Sequence, residues 1–161
     1  MSHAKNEVNS LLARVRVFVL ALFLLGSLGT GAELFLLEHT EEAWQWAPLA
    51  LLISGVLVAL GYAILRRLIL LRVFQMLMLL FVLSGGVGSV LHYRAKVEFK
   101  LEMQPDLGGW QLFQEVMHGA TLPPVLAPGV MLQLGLLGLI YCYRHSELIE
   151  ANATFAHETR E

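Results

Sequence analysis

The chain has 161 residues, of which 57% are hydrophobic and only 15% charged, and its formal net charge is −2. Soluble domains carry about a quarter charged residues, so this balance, with a mean hydropathy of +0.64, predicts an integral membrane protein embedded in a lipid bilayer. The slightly negative charge argues against a nucleic-acid partner, and the single cysteine, Cys142, excludes an intrachain disulfide and a cysteine-rich metal site.

Four apolar stretches are close to the ~20 helical residues that cross a ~30 Å hydrocarbon core. They cover residues 17–37, 47–65, 73–92 and 125–143. The sequence therefore predicts an all-α membrane protein with four transmembrane helices in one bundle. Residues 1–16 and 144–161 form polar terminal segments, and residues 93–124 form a loop between the third and fourth spans.

Basic residues predict the orientation, since Lys and Arg accumulate in cytoplasmic loops. With a cytoplasmic N-terminus, the cytoplasmic side holds Lys5, Arg14, Arg16, Arg66, Arg67, Arg72, Arg144 and Arg160. The opposite side holds only Arg94, Lys96 and Lys100. We therefore expect both termini in the cytoplasm, and the short loops suggest a bacterial inner membrane.

The first part of the outer loop, "KVEFKLEM" at residues 96–103, alternates polar and apolar residues. A period of two is typical of a strand with one buried face, but the chain offers no second strand to pair with. Three alternatives stay open: pairing with another chain, an extended segment against the bundle, or a helical extension of the third span.

The second part of the loop, residues 107–118, has a helical period. Its polar residues recur at helical spacing along one face, namely Gln111, Gln114, Glu115 and His118. Apolar residues, including Trp110 and Phe113, fall on the other side. We predict a short amphipathic helix at the outer interface.

Small residues recur at helical spacing on two spans, and each series ends in an ionisable residue. The first span has Gly26, Gly29, Thr30 and Glu33, and the third has Gly85, Gly88, Ser89 and His92. Small residues allow helix backbones to approach closely in lipid. The predicted packing positions are therefore Gly26, Gly29, Thr30, Gly85 and Gly88, with Gly135 and Gly138 on the fourth span.

Glu33 is the carboxylate that the first span would carry into the membrane. A charged carboxylate at the bilayer centre costs roughly 2.5–3.5 kcal/mol, and less towards the interface. We therefore expect a buried polar layer in the outer half of the bundle, formed by Glu33, Ser54, Ser89, His92 and Gln133. This layer either fixes the helix register only, or forms a binding or proton-handling site.

Glu115 and His118 have the i, i+3 spacing by which one helix supplies two metal ligands. A solvated face of an interfacial helix explains the same pair. If a transition metal or haem were bound, its ligands would come from Glu33, His39, His92, Glu115 and His118.

No phosphate-binding loop, dinucleotide fingerprint, zinc-protease motif or nucleophile elbow occurs in the sequence. The preferred hypothesis is a non-enzymatic accessory or assembly-forming subunit, either a homo-oligomer or part of a larger membrane complex. One alternative is a metal- or haem-binding module on the outer face. The other is an oligomeric proton-coupled transporter that uses Glu33.

Overall fold

The structure, a computed structural model, describes residues 2–37, 43–118, 126–145 and 147–149. In this part of the chain every regular element is a helix, which confirms the predicted all-α class. The helices are α1 (Ser2–Leu36), α2 (Trp46–Leu65), α3 (Leu68–Met103), α4 (Gly109–His118) and α5 (Leu126–Cys142), and a short 3₁₀ turn covers Ala43–Gln45.

Three of these helices are long and apolar enough to cross a membrane, as expected of an integral membrane protein. They are α1 over Glu7–Leu36, α2 and α3. The α5 helix is equally apolar in character but shorter, with 17 residues. The described structure thus contains three helices of spanning length, and the fourth predicted span corresponds to this shorter helix.

The helices α1, α2, α3 and α5 pack as a ring in which each contacts two neighbours. The pairs are α1 with α2, α2 with α3, α3 with α5, and α5 with α1. The Glu33 end of this bundle holds the C-terminus of α1 and the starts of α2 and α5. The Arg66 end holds the tight turn from α2 to α3 and the C-terminus of α5.

The α3 helix is longer than predicted and includes the segment "KVEFKLEM". Its 36 residues extend about 54 Å, so the helix continues beyond the ~30 Å core of a bilayer. The strand interpretation is wrong, because the segment is the helical extension that was one of the open alternatives. Lys100 on the extension forms an ion pair with Glu115 of α4 at 2.9 Å, so α4 lies alongside the extension of α3.

The N-terminal boundary also differs from the expected one. The sequence places the first helix from residue 17, whereas α1 already begins at Ser2. The polar residues before Val17 interrupt the apolar run but not the helical backbone, because few of them disfavour a helix. A hydropathy pattern reports the membrane-buried part of a helix and not the helix ends.

Small residues determine how closely α3 and α5 approach. A Cβ added at Gly85 would lie 2.6 Å from the backbone nitrogen of Leu132 and 2.7 Å from the carbonyl oxygen of Pro128. A Cβ added at Gly135 would lie 2.8 Å from the carbonyl oxygen of Met78. The two backbones are therefore in direct contact, an arrangement that only glycine allows.

An aromatic cluster fills the middle of the bundle. Phe23 of α1 makes an edge-to-face contact with Phe74 of α3, with ring centroids 5.2 Å apart, and lies 5.9 Å from Phe81. All three rings are buried. Gly55 of α2 lies against two of them, since a Cβ there would be 3.0 Å from Phe81. This cluster joins α1 to α3 across the ring of helices.

Candidate functional site

A partly open cleft lies at the Glu33 end, with a volume of about 770 Å³. We call it the Glu33 cleft. All four helices of the ring contribute to its wall, which is mostly formed by apolar side chains such as Leu34, Leu51, Leu83 and Met131. After Gly85 no residue of α3 is buried, so the α3 side chains on this cleft are only partly covered by the other helices.

A small set of polar groups lines the same cleft. Glu33 is exposed on the wall formed by α1, Ser54 lies on α2, and His92 lies half-buried on α3. Thr30 and Ser84 also line it. Three of the five residues assigned to the polar layer from the sequence thus surround one cavity. Glu33 is on the cleft surface and not enclosed by neighbouring helices, contrary to the expectation of a buried layer.

The other two members of the predicted layer lie elsewhere. Gln133 is exposed on α5 and does not line the cleft. The Ser89 hydroxyl donates a hydrogen bond of 2.8 Å to the carbonyl oxygen of Gly85, one turn earlier on the same helix. Serine commonly satisfies its hydroxyl in this way within a helix. Neither residue contributes to a shared polar network with Glu33 in the described structure.

The glycines predicted to mediate packing divide into two groups. A Cβ added at Gly26 would lie 2.7 Å from Leu134, and one added at Gly88 would lie 2.9 Å from Pro128. A Cβ added at Gly138 would come closer still to the side chain of Met78. By contrast, a Cβ added at Gly29 would meet nothing within 4 Å. The packing glycines of α3 and α5 therefore lie at helix contacts, whereas Gly29 faces open space.

Of the proposed metal ligands that the structure describes, Glu33 and His92 line the cleft, whereas Glu115 and His118 lie on α4. Glu115 is paired with Lys100, and the Nδ1–H of His118 donates to the carbonyl oxygen of Gln114 at 3.2 Å. His39 lies outside the described residues. Within the described ranges no group of three or more His, Cys, Asp and Glu side chains is placed to hold a metal ion.

A second polar site lies at the Arg66 end, and sequence reasoning missed it. We call it the Tyr62 cluster: Tyr62 of α2, Tyr141 of α5, and His145 and Glu147 of the segment after α5. Tyr62 is 1% and His145 is 8% exposed. The His145 ring contacts both tyrosine rings, each with centroids 5.8 Å away. The sequence predicts only a polar surface tail after Arg144, but the first part of that tail is built into the bundle.

Hydrogen bonds in the Tyr62 cluster assign the His145 tautomer. The Tyr62 hydroxyl donates to Oε1 of Glu147 at 2.8 Å, and its oxygen lies 3.3 Å from Nε2 of His145. Because the single hydroxyl proton is used on Glu147, Nε2 must be the donor to Tyr62. Nδ1 of His145 is then an unprotonated nitrogen, and it is buried without a hydrogen-bond partner.

The surroundings of His145 oppose a second proton on its ring. Burial lowers the pKa of His145 below its ordinary value of 6.5. The guanidinium groups of Arg16 and Arg66 lower this pKa further, and the Glu147 carboxylate acts in the opposite direction. These surroundings therefore favour the neutral imidazole, which suits a ring in contact with two tyrosine rings.

Two arginines complete the Arg66 end. The Arg16 guanidinium of α1 donates a hydrogen bond to the carbonyl oxygen of Arg144 at 2.9 Å, which satisfies a carbonyl left free just after α5. Arg66 lies over the Tyr62 ring at 5.6 Å and ends α2 in the left-handed conformation, with φ of 48°. The Arg16 contact therefore attaches α1 to the end of α5, whereas the Arg66 contact lies within the end of α2.

One sequence signal for this cluster exists. Tyr62 and Tyr141 each lie near the end of an apolar span on the same predicted side of the membrane, and a histidine follows the second of them. Tyrosines there are usually explained as interface anchors, and nothing in the order of residues shows that Tyr62 and His145, 83 positions apart, are in contact. Tyr143, two positions further along the chain, is 72% exposed and suits that ordinary explanation.

Comparison with known proteins leaves the function to be argued from these two sites. No protein-family model, curated protein or solved structure matches the chain.

Proposed function

We propose that this protein is a non-enzymatic accessory protein of a bacterial inner membrane that holds a small amphiphilic molecule from the bilayer in the Glu33 cleft. In this proposal α1, α2, α3 and α5 all cross the membrane, both termini are cytoplasmic, and the Glu33 end faces outward. The distribution of basic residues supports this orientation, because the connection at Arg66, Arg67 and Arg72 is strongly basic.

The observation that carries the proposal is the cleft itself. Its volume of about 770 Å³ lies in the ~300–1,000 Å³ range of ligand pockets, which are mostly apolar and contain a few polar groups that orient the ligand. The Glu33 cleft has this composition, with leucine, valine and methionine walls and a carboxylate, an imidazole and hydroxyl groups. In a bilayer such a site is accessible to amphiphilic molecules with a hydrocarbon chain.

The dimensions favour a small ligand over a partner helix in this cleft. The lining residues of α3 run from Leu80 to His92, a distance of about 18 Å along the helix, whereas a partner span needs contact across ~30 Å of hydrocarbon. Large side chains such as Leu83 and Leu91 line the cleft, while closely packed helices in membranes meet through small residues.

A second observation favours assembly through a different surface, on α1. Only 11% of the apolar window of α1 is buried in the protein, against 28% for both α2 and α3. Gly29 and Gly31 on this helix would each accept a Cβ without contact. We propose that α1 packs against a transmembrane helix of another subunit, either a second copy or a larger complex.

Ligand binding in the cleft can be tested by filling it. Ser54 is half-buried and lines the cleft, whereas the neighbouring Ile53 is 60% exposed and does not. Ser54→Phe should reduce binding of a twelve-carbon alcohol to the protein in lipid nanodiscs by tenfold or more. Ile53→Phe is the matched control and should bind as the wild type does. Equal binding by wild type and Ser54→Phe would refute a ligand site in the cleft.

Assembly through α1 requires a separate measurement. Gly29→Leu should leave the thermal stability of the subunit unchanged and reduce the apparent mass of the native assembly in a mild detergent. Gly86→Leu is the control, because Gly86 on α3 also has nothing within 4 Å of an added Cβ. If native mass spectrometry gives the same subunit composition for wild type and Gly29→Leu, this surface of α1 does not mediate assembly.

A further inference from the structure

The charge around the Glu33 cleft indicates which head group its ligand carries. Two of the described lining residues are ionisable, Glu33 and His92, and none is a lysine or arginine. Glu33 is exposed on the cleft wall, so its carboxylate is available to a ligand. An anionic head group would lie near this carboxylate, and the described lining has no lysine or arginine to neutralise it.

An aromatic residue lies on the same cleft and strengthens this electrostatic preference. Trp44, in the 3₁₀ turn before α2, lines the cleft and is 51% exposed. The face of an indole ring attracts ammonium groups, including quaternary ones that cannot donate a hydrogen bond. A carboxylate on one wall and an indole on another are the two kinds of group that proteins use to bind alkylammonium ions.

The remaining lining residues accommodate a hydrocarbon chain. Apolar residues of α2, α3 and α5 extend the cleft from Trp44 and His92 to Leu80 and Met131. Hydroxyl groups are few among them, with Ser54 and Ser84 as the described examples at this depth. A chain that enters the cleft is therefore in contact mainly with side chains as apolar as the lipid it leaves.

Nearby basic residues lie on α3 beyond the cleft lining and do not change its charge. Arg94 and Lys96 follow His92 on the extension of α3, and neither lines the cleft. Lys100, further along, is paired with Glu115. The positive charges of this end therefore lie on the extension of α3, while the cleft retains the Glu33 carboxylate.

We propose that the ligand of the Glu33 cleft is an ammonium amphiphile, with its cationic head group at Glu33 and Trp44 and its hydrocarbon chain along the apolar wall. This inference rests on the proposed function, since it names the chemistry of the molecule that the cleft holds. Charge complementarity selects this head group over carboxylate, phosphate and sulfate.

The test compares three probes of equal chain length: dodecyltrimethylammonium, dodecanol and dodecanoate. Binding is followed by Trp44 fluorescence in nanodiscs of uncharged lipid, with the other two tryptophans replaced (Trp46→Phe and Trp110→Phe). We expect the ammonium probe to bind about tenfold more tightly than the alcohol, which corresponds to about 1.4 kcal/mol. Dodecanoate should bind more weakly than the alcohol.

Two variants assign the preference to the proposed carboxylate. Glu33→Gln should abolish the difference between the ammonium probe and the alcohol, mainly by weakening binding of the ammonium probe about tenfold. Glu98→Gln is the matched control, because Glu98 is an exposed carboxylate on the extension of α3 that does not line the cleft. It should retain the full preference for the cation.

The outcomes separate this inference from the proposed function. If the three probes bind equally, or if dodecanoate binds best, the ammonium assignment is wrong while the cleft remains a ligand site. If Glu33→Gln and Glu98→Gln reduce the cation preference equally, Glu33 is not the recognition group. If no probe binds to the wild type, both the inference and the proposed function are refuted.

Discussion

The two ends of the helical bundle differ in how closely their helices are packed. At the Arg66 end, the helices are joined by a buried network in which Tyr62 bonds to Glu147 at 2.8 Å and lies 3.3 Å from His145. At the Glu33 end, the same helices surround a cleft of about 770 Å³. A small membrane protein can leave one end open because close packing at the other end and in the middle maintains the helix arrangement.

The largest effect is expected where α3 and α5 touch, between the two ends. Gly85→Ala places a methyl group against the backbone of Leu132 and Pro128, which cannot move without separating the helices. We expect a loss of about 3 kcal/mol in the free energy of unfolding, at the upper end of overpacking effects. Denaturant titration in a mild detergent measures it.

The control for this substitution is the next residue in the chain. A Cβ added at Gly86 would meet nothing within 4 Å, so Gly86→Ala should be neutral, or stabilising by up to about 1 kcal/mol because alanine favours a helix more than glycine does. Equal destabilisation by Gly85→Ala and Gly86→Ala would show that α3 and α5 are not in backbone contact.

A somewhat smaller effect is expected at the Tyr62 cluster. Tyr62→Phe removes the hydroxyl that bonds to Glu147 and accepts from His145, and it leaves a buried imidazole N–H without a partner. Such a loss costs about 1–3 kcal/mol, and we expect about 2 kcal/mol by the same titration. Tyr143→Phe removes the hydroxyl of an exposed ring at the same end and should change stability by less than about 0.5 kcal/mol. Equal values for both variants would contradict a stabilising network.

A third effect depends on pH and involves His145. The folded-state pKa of this residue is below its ordinary value of 6.5, so the unfolded chain takes up the proton first as the pH falls. The contribution of His145 to the free energy of unfolding should therefore be constant above about pH 6.5. Below that pH it should decrease by up to about 1.4 kcal/mol per pH unit. The decrease ends at the folded-state pKa.

The contribution of His145 is obtained as a difference between two proteins. Other groups titrate in the same range, so melting temperatures of wild type and His145→Gln are compared at pH 7.5 and 5.5. The amide of glutamine donates a hydrogen bond but does not titrate, and the variant should lose less stability on acidification. The same decrease in both proteins would show that His145 is not a source of the pH dependence.

The smallest effect is expected at the Glu33 end. Glu33 is exposed on the cleft, so Glu33→Gln should change the free energy of unfolding by less than about 0.5 kcal/mol, although it changes the ligand preference. Glu33 would then contribute to ligand binding, whereas His145 contributes to stability. Destabilisation as large as that of Tyr62→Phe would instead make Glu33 part of the packed core.

Hydropathy predicts much of this fold, because the length of an apolar segment depends only on residues that are neighbours in the sequence. It identifies the regions of α1, α2 and α3 as membrane helices, and it fails where helices leave the membrane. An eight-residue run such as "KVEFKLEM" satisfies a period of two, yet in the structure it continues the helix α3. Short alternating runs do not identify secondary structure unambiguously.

The two sites differ in how far the sequence could reveal them. The predicted polar layer includes Glu33, Ser54 and His92, and the structure places all three on one cleft. A position in the outer half of a span does not give the rotation of its helix, so the predicted layer also includes Gln133, which is exposed and does not line the cleft. Tyr62 and His145 are far apart in the chain, and their contact depends on how α2 and α5 end. A contact between residues so far apart in the chain cannot be recognised from the sequence alone.

One measurement tests directly whether one end is open and the other packed. The natural Cys142 is 4% exposed next to the Tyr62 cluster, and Ser84 lines the Glu33 cleft. In nanodiscs, N-ethylmaleimide should modify the introduced thiol of Ser84→Cys and leave Cys142 unmodified, with both thiols reacting after denaturation. Modification of Cys142 as fast as that of Ser84→Cys, or protection of both thiols, would contradict the difference between the two ends.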